Sequence, residues 1–370
     1  MSRVLVWLLP AMLLATSVGA EPWRTVAPGH IWSFPGDHHA MPEYRSEWWY
    51  LTGHLTARGE SEPTHGVQVT IFRLGLTPDS PPWRSDWASR DLVLGHLAVT
   101  DLRRGEHLFS EVLTRTGPGR GGFPDAADSV LAWVRAPAGG PGRWSIRRQG
   151  TGFAVRAHDA GQGLLVDLQL RPERELVFQG PGGVSEKDPE AGAGSLYYSY
   201  PRLAATGQLA AGADTVQVTG NTWFDREVFT SQLASRHAGW DWMGLQLDDG
   251  RDLMAFALRD TAGQVDVTHV TLVEADGAVR WLRPGPEFLE PLEWWISEST
   301  GVRYPVAWRL DLPDAGLELE LSALVQDQEN VGRRSGIVYW EGAVAGRSTT
   351  GVNCRGYVEL TGYGGGALPF

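Results

Sequence analysis

From Trp49 onward the chain is a succession of short segments in which apolar and polar residues alternate, broken by Gly, Pro, Asp or Asn, with no long 3.6-residue apolar period. Alternation at every second residue sends successive side chains to opposite faces of a strand. Val67, Val69 and Ile71 share one face, as do Leu92, Leu94, His96 and Ala98. Val166, Leu168 and Leu170 alternate with Asp167 and Gln169. Many short strands separated by turn residues predict an all-β fold, an antiparallel sandwich or barrel. Residues 115–143 read as long loops around one short strand, and 180–195 as another loop. Residues 41–45 and 293–297 read as short helical turns.

A weak internal repeat divides this pattern. Glu47-Trp48-Trp49-Tyr50-Leu51-Thr52-Gly53 opens a hairpin whose second strand ends at Phe72. Trp240-Asp241-Trp242-Met243-Gly244 opens another, which returns through Phe256. The halves also end alike. Tyr198-Ser199-Tyr200 leads to Trp223-Phe224-Asp225-Arg226-Glu227, and Tyr339-Trp340-Glu341 leads to Tyr357-Val358-Glu359-Leu360. Two tandem β-domains of similar topology are expected, residues 21–230 and 231–370, each near eight strands. A barrel of that size is either filled by side chains or holds one small ligand.

Ahead of the first strand, Asp37-His38-His39 and Glu47-Trp48-Trp49-Tyr50 gather acids, histidines and aromatics. Trp48 and Trp49 must face opposite ways, one toward a core and the other toward a second buried surface or a cavity mouth. The stretch either seals a barrel end or forms one wall of a site. The 17 Trp suit a large apolar core or a pocket for a greasy ligand.

Residues 1–20 read as a secretory signal peptide, with Arg3 as the basic region, an apolar run from Val4 to Ala15 and small residues at Val18-Gly19-Ala20. No later stretch is long and apolar enough to span a membrane. The mature chain is therefore expected to be exported, to the periplasm or the extracellular space, without stable membrane insertion. A net charge of −12 with no basic patch argues against nucleic acid. The single Cys354 has no internal disulfide partner.

Common catalytic signatures are absent. Gly182-Gly183-Val184-Ser185-Glu186 lacks the final Gly of a nucleophile elbow. There is no His-Glu-x-x-His, no phosphate-binding loop and no cysteine pair for zinc. Adjacent residues rarely converge on one ion, so Asp37-His38-His39 predicts no metal. What remains is carboxyls beside aromatics: Asp37, Glu47, Asp225, Glu227 and Glu341. A desolvated carboxyl has a raised pKa and can act as a general acid. Asp225 could equally pair with its neighbour Arg226, and His96 reads as a core histidine.

These motifs resemble the AttH-type lipocalin-like proteins, secreted relatives of carotenoid 1,2-hydratase (hydroxyneurosporene synthase), often labelled predicted secreted hydrolases. Phe34-Pro35, Asp37-His38, Glu47-Trp48-Trp49-Tyr50, Tyr197-Tyr198-Ser199-Tyr200, Trp223-Phe224-Asp225-Arg226-Glu227, Tyr339-Trp340-Glu341-Gly342 and the run from Gly356 to Tyr363 carry the resemblance. It implies two tandem lipocalin-like antiparallel β-barrels and a hydrophobic, isoprenoid or lipid-like small molecule. It also implies hydration of an alkene without a cofactor, in which a carboxylic acid protonates the double bond and aromatic faces shield the cation. By resemblance the acid is Asp225, with Trp223 at the aromatic position, where the hydratases have Tyr. Tyr198 and Tyr200 stand in the region of their His-x-Trp. The expected catalytic set is Asp225, Trp223, Tyr198 and Tyr200. Asp37, His38, Glu47, Trp48, Trp49, Tyr50, His96, Trp340 and Glu341 are candidate ligand contacts. A non-catalytic carrier and a secreted ester or lipid hydrolase are the alternatives.

Overall fold

The computed structural model describes residues 23–79, 85–137, 142–188 and 193–365. The expected signal peptide lies outside them. The chain is all-β, and among the described residues its helical content is four single 3-10 turns.

The first domain comprises β1 (Ser46–Ala57), β2 (His65–Gly75), β3 (Asp91–Asp101), β4 (Glu106–Arg115), β5 (Gly121–Gly122), β6 (Val130–Arg135), β7 (Arg143–Gln149), β8 (Gly152–Asp159), β9 (Leu164–Pro172), β10 (Val177–Phe178), β11 (Val184–Asp188), β12 (Ala193–Ala211) and β13 (Thr215–Phe229). The second comprises β14 (His237–Leu247), β15 (Asp252–Asp260), β16 (Val265–Val273), β17 (Val279–Leu282), β18 (Leu289–Ile296), β19 (Arg303–Leu312), β20 (Leu317–Ala323), β21 (Glu329–Val331), β22 (Val338–Ser348) and β23 (Asn353–Thr361). The sheets hold thirteen and ten strands, more than the eight expected of each. The excess comes from short strands such as β5, β10 and β21, too brief to leave an alternating signature. The first sheet curls into a nearly closed barrel in the order β4-β3-β2-β1-β13-β12-β9-β8-β7-β6-β5. The second runs β17-β16-β15-β14-β23-β22-β20-β19-β18.

Two local expectations are corrected. Residues 293–296 belong to strand β18, because pairing with β19 overrides the local turn signal. The segment at 180–195 contains a 3-10 turn at Pro181–Gly183 and strand β11, which pairs with β12. Residues 189–192 of that segment lie outside the described residues.

The repeat is a repeat of register. Tyr50 on β1 stands opposite Asp225 on β13, and Asp225 opposite Ser199 on β12. Trp242 on β14 stands opposite Glu359 on β23, and Glu359 opposite Glu341 on β22. Tyr50 therefore corresponds to Trp242, Asp225 to Glu359 and Ser199 to Glu341. Corresponding aromatics meet between the domains: Trp48 stacks on Trp240 at 6.5 Å, and Tyr50 meets Trp242 edge-on at 5.3 Å.

Each barrel interior is packed with side chains. Trp49, Leu51, Val67, Val69, Ile71, Tyr198 and Phe224 belong to the first core, and Met243, Leu245, Trp308, Trp340 and Val358 to the second. A third buried cluster lies between the domains and includes Trp48, Tyr50, Tyr197, Trp223, Trp240, Trp242 and Phe256. Polar ties flank it. Asp252, fully buried, pairs with Arg174 and Arg202 of the first domain, each at 2.7 Å.

Candidate functional site between the domains

The outward faces of the two sheets enclose a cavity of about 50 Å³. One water requires ~10–15 Å³ measured this way, so the cavity admits a few waters or one end of a slender ligand. Its lining follows the two-residue period without exception on the long strands. Trp48 and Tyr50 come from β1, Gln68, Thr70 and Phe72 from β2, and Asp225 and Glu227 from β13. The second domain supplies Trp240 and Trp242 from β14, Phe256 and Leu258 from β15, Tyr339 and Glu341 from β22, and Glu359 and Thr361 from β23. His96, Lys187, Tyr197, Gln232 and Ile337 complete the wall.

Asp225 is 2% exposed and sits at the centre of a donor array. Its Oδ1 accepts from Trp223 Nε1 at 2.7 Å and from the Ser199 hydroxyl. Its Oδ2 accepts from the Tyr197 hydroxyl at 2.7 Å. Tyr197 in turn accepts from Trp242 Nε1, across the domain boundary, at 3.0 Å. Burial pushes the Asp225 carboxyl up to about 7, against the pull of the three donors. Such a value suits proton transfer near neutral pH.

Glu341 faces the same cavity from the second domain and is 1% exposed. Neither of its oxygens has a partner in full hydrogen-bond geometry, and neither does the Tyr50 hydroxyl. Burial, then the charge of Glu359, raises the Glu341 carboxyl well above its ordinary range, with Tyr50 opposing the rise. Burial likewise pushes Glu359 up to about 8, although its Oε1 accepts from Trp240 Nε1 at 3.1 Å. Two adjacent carboxyls in one desolvated site cannot both ionise readily. Lys187 is tied to Glu227, and burial lowers its pKa despite that partner. His96 Nδ1 shares a 2.7 Å hydrogen bond with the Tyr339 hydroxyl, and burial lowers the imidazole pKa against the pull of Glu111. Among the described residues no cluster of His, Cys, Asp and Glu is arranged to hold a metal ion.

The residues singled out from sequence thus divide between two faces. Trp48, Tyr50, His96, Asp225 and Glu341 line the cavity, and Trp223 supports Asp225 from its edge. Tyr198 and Tyr200, grouped with Asp225 on sequence grounds, pack against the barrel interior. On β12 the cavity face carries Tyr197 and Ser199, one residue out of step, and a step of one reverses the face of a strand. Trp49 and Trp340 are core residues for the same reason. Glu47 is fully buried at the barrel end, bound to Arg73 and Arg226 and to the backbone N–H of Met41. Although burial raises its carboxyl, the two guanidiniums hold it below the ordinary range. Arg226 also lies 4.0 Å over the Trp49 ring. Asp37 accepts from the backbone N–H of Ser33 at 2.7 Å and contacts His30. His38 meets the Tyr198 hydroxyl at 2.6 Å, and its carbonyl accepts from Trp49 Nε1. This opening stretch closes the first barrel and has no side chain in the cavity until Trp48.

Sequence reading passed over Tyr197, Ser199, Gln68, Thr70, Lys187 and Glu359. A signal for some of them existed. Asp225 fixes the parity of β13, and cross-strand register then selects Ser199, whose alternation partner is Tyr197. Lys187 left no signal, because β11 reads as loop.

Fold and site together define a two-domain, all-β lipocalin-like protein whose buried carboxyls meet between its domains. The chain belongs to the AttH-like family, whose model matches residues 25–363. It is similar to an AttH-type crystal structure from Nitrosomonas europaea, at 32% identity and a TM-score of 0.76, covering 92% of this chain and 99% of that one. Kievitone hydratase from Nectria haematococca shares the fold at 18% identity and a TM-score of 0.62, covering 88% and 92% of the two chains. The dehydratase AsqC of Emericella nidulans is 25% identical over 226 residues, which is 56% of this chain. The match spans 60% of that curated relative's length.

Proposed function

We propose that the chain is a hydro-lyase, adding water to or removing it from a hydrophobic, isoprenoid-like small molecule held between the two domains, and that it works outside the cytoplasm. The observation that carries this reading is the placement of two buried carboxyls of different environment, Asp225 and Glu341, on one cavity whose wall includes the aromatic faces of Trp48, Trp240, Trp242, Phe72 and Phe256. Hydration of an alkene needs one group to deliver a proton and another to receive one, in a dry site. Indole and phenyl faces stabilise a developing carbocation. A hydratase of the same fold and a dehydratase that aligns with part of the chain support the reaction class.

The test is incubation of the purified chain with squalene, geraniol and their tertiary-alcohol hydrates in oxygen-18 water. Incorporation of the label into a tertiary alcohol, or formation of the alkene from the unlabelled alcohol, is the expected result. Cleavage of lipid esters with no labelled alcohol would favour a hydrolase. Retention of unchanged compound by the protein would favour a carrier.

A further inference from the structure

The two carboxyls are not interchangeable, and the hydrogen-bond directions around them show why. An indole N–H can only donate. Trp242 Nε1 donates to the Tyr197 oxygen, so the Tyr197 proton is committed to Asp225 Oδ2. Trp223 Nε1 occupies one lone pair of Oδ1, and the Ser199 hydroxyl points to the same oxygen. Three donors converge on Asp225, an arrangement that favours an anion, and Oδ2 keeps a free lone pair. Glu341 has the opposite surroundings. It is buried, has no partner in full hydrogen-bond geometry, and its neighbours are acids and phenols. Tyr50 faces it from β1, Asp225 from β13, and Glu359 and Tyr357 from β23, with Tyr339 on its own strand. Lys187, the cation on the cavity wall, is engaged by Glu227. An ionised Glu341 would have no free cation beside it to balance its charge, with the Tyr50 hydroxyl as the one group that favours the anion.

From this geometry we propose that Glu341, from the second domain, is the proton donor, and that Asp225, from the first, is the proton acceptor. The assignment rests on the hydro-lyase reading and reverses the role that family resemblance suggests for Asp225. In hydration the Glu341 O–H bond breaks while the alkene π pair forms a C–H bond. The other alkene carbon becomes cationic between the aromatic walls. A water lone pair forms the C–O bond, and the surplus water proton passes to Asp225 Oδ2. Glu341 is left ionised and Asp225 protonated until exchange with solvent resets both. Dehydration runs the same steps backwards, with the alcohol oxygen leaving as water. The reaction therefore needs both domains, since neither carries both groups.

Glu341→Gln and Asp225→Asn, made in the full chain, separate the roles. With a substrate that the wild type turns over, each variant should lose roughly 10²–10⁴-fold in kcat, the usual range for one acid or base. Residual activity of Glu341→Gln should lose the alkaline limb of the pH profile, and that of Asp225→Asn the acid limb. The opposite pairing of limbs, or wild-type kcat in Glu341→Gln, would overturn the assignment. A second readout needs no substrate. The infrared spectrum at pH 8.5, above the Asp225 value of about 7, should contain a protonated-carboxyl stretch that Glu341→Gln removes and Asp225→Asn retains. A stretch removed only by Asp225→Asn would overturn the assignment even if no substrate is found. A wild type inert toward every alkene and alcohol, yet showing the Glu341 stretch, would instead sink the hydro-lyase reading and leave the protonation pattern standing.

Discussion

The indole of Trp242 donates across the domain boundary to the hydroxyl of Tyr197 at 3.0 Å, and that contact orients the proton Tyr197 gives to Asp225. One domain thereby sets the hydrogen-bonding state of the other's carboxyl. Tyr339 crosses in the reverse direction, reaching His96 Nδ1 at 2.7 Å and Gln68 Nε2 at 2.9 Å. The two tyrosines occupy corresponding places in the repeat, each two residues before Ser199 or Glu341.

Tyr197→Phe tests the relay. The variant strips Asp225 of one donor and leaves Trp242 Nε1 without its acceptor. Losing a donor to the anion raises the Asp225 pKa above its value of about 7. Asp225 must be ionised to act, so the acid limb of the rate profile should move to higher pH. Leaving a buried donor unpaired should cost about 1–3 kcal/mol of stability, measured by urea unfolding.

Stability should respond to pH through Glu341. Its folded pKa lies well above the ordinary value, so its contribution to stability is full below about 4.5 and is lost as pH rises toward the folded value. The slope for one such group approaches ~1.4 kcal/mol per pH unit. Gln does not ionise, so Glu341→Gln should gain on the wild type in thermal stability as pH rises from 5 to 8. Paired melting curves across that range check it, and a constant difference would contradict it.

Glu47 is predicted to hold the fold together and to take no part in the chemistry. Glu47→Gln weakens the bonds to two buried guanidiniums, Arg73 and Arg226. Breaking a buried ion pair by removing one partner costs about 3–5 kcal/mol. Chemical denaturation should show a loss of that order. The pH–rate profile of the surviving folded protein should keep both limbs in place.

Tyr198→Phe separates the barrel interior from the cleft. The variant removes the 2.6 Å contact with His38 and nothing in the cavity. It should cost roughly 1 kcal/mol of stability and leave kcat/KM unchanged. A large rise in KM would place the ligand inside the first barrel.

Fold class was legible because alternation is a local property, and the pairing of halves because Trp48-Trp49 and Trp240-Asp241-Trp242 open corresponding strands. Asp225 stood out through its neighbours Trp223 and Arg226, yet Arg226 turned out to serve Glu47, on the other face of β13. Which face of β12 mattered was not legible. Tyr197, Tyr198 and Tyr200 are all aromatic, so composition did not reveal the parity that register imposes. The site between two sheets was hidden for a further reason. Docking buries both faces of β1, so its burial pattern is nearly continuous and has no exposed side.

The most direct measurement is a crystal structure of the full chain soaked with the tertiary alcohol that it forms or dehydrates. The expected density lies between the domains, with the hydroxyl-bearing carbon between Asp225 Oδ2 and the Glu341 carboxyl and the chain against Trp48 and Trp240. Density inside either barrel, beside Tyr198 or Trp340, would contradict the account.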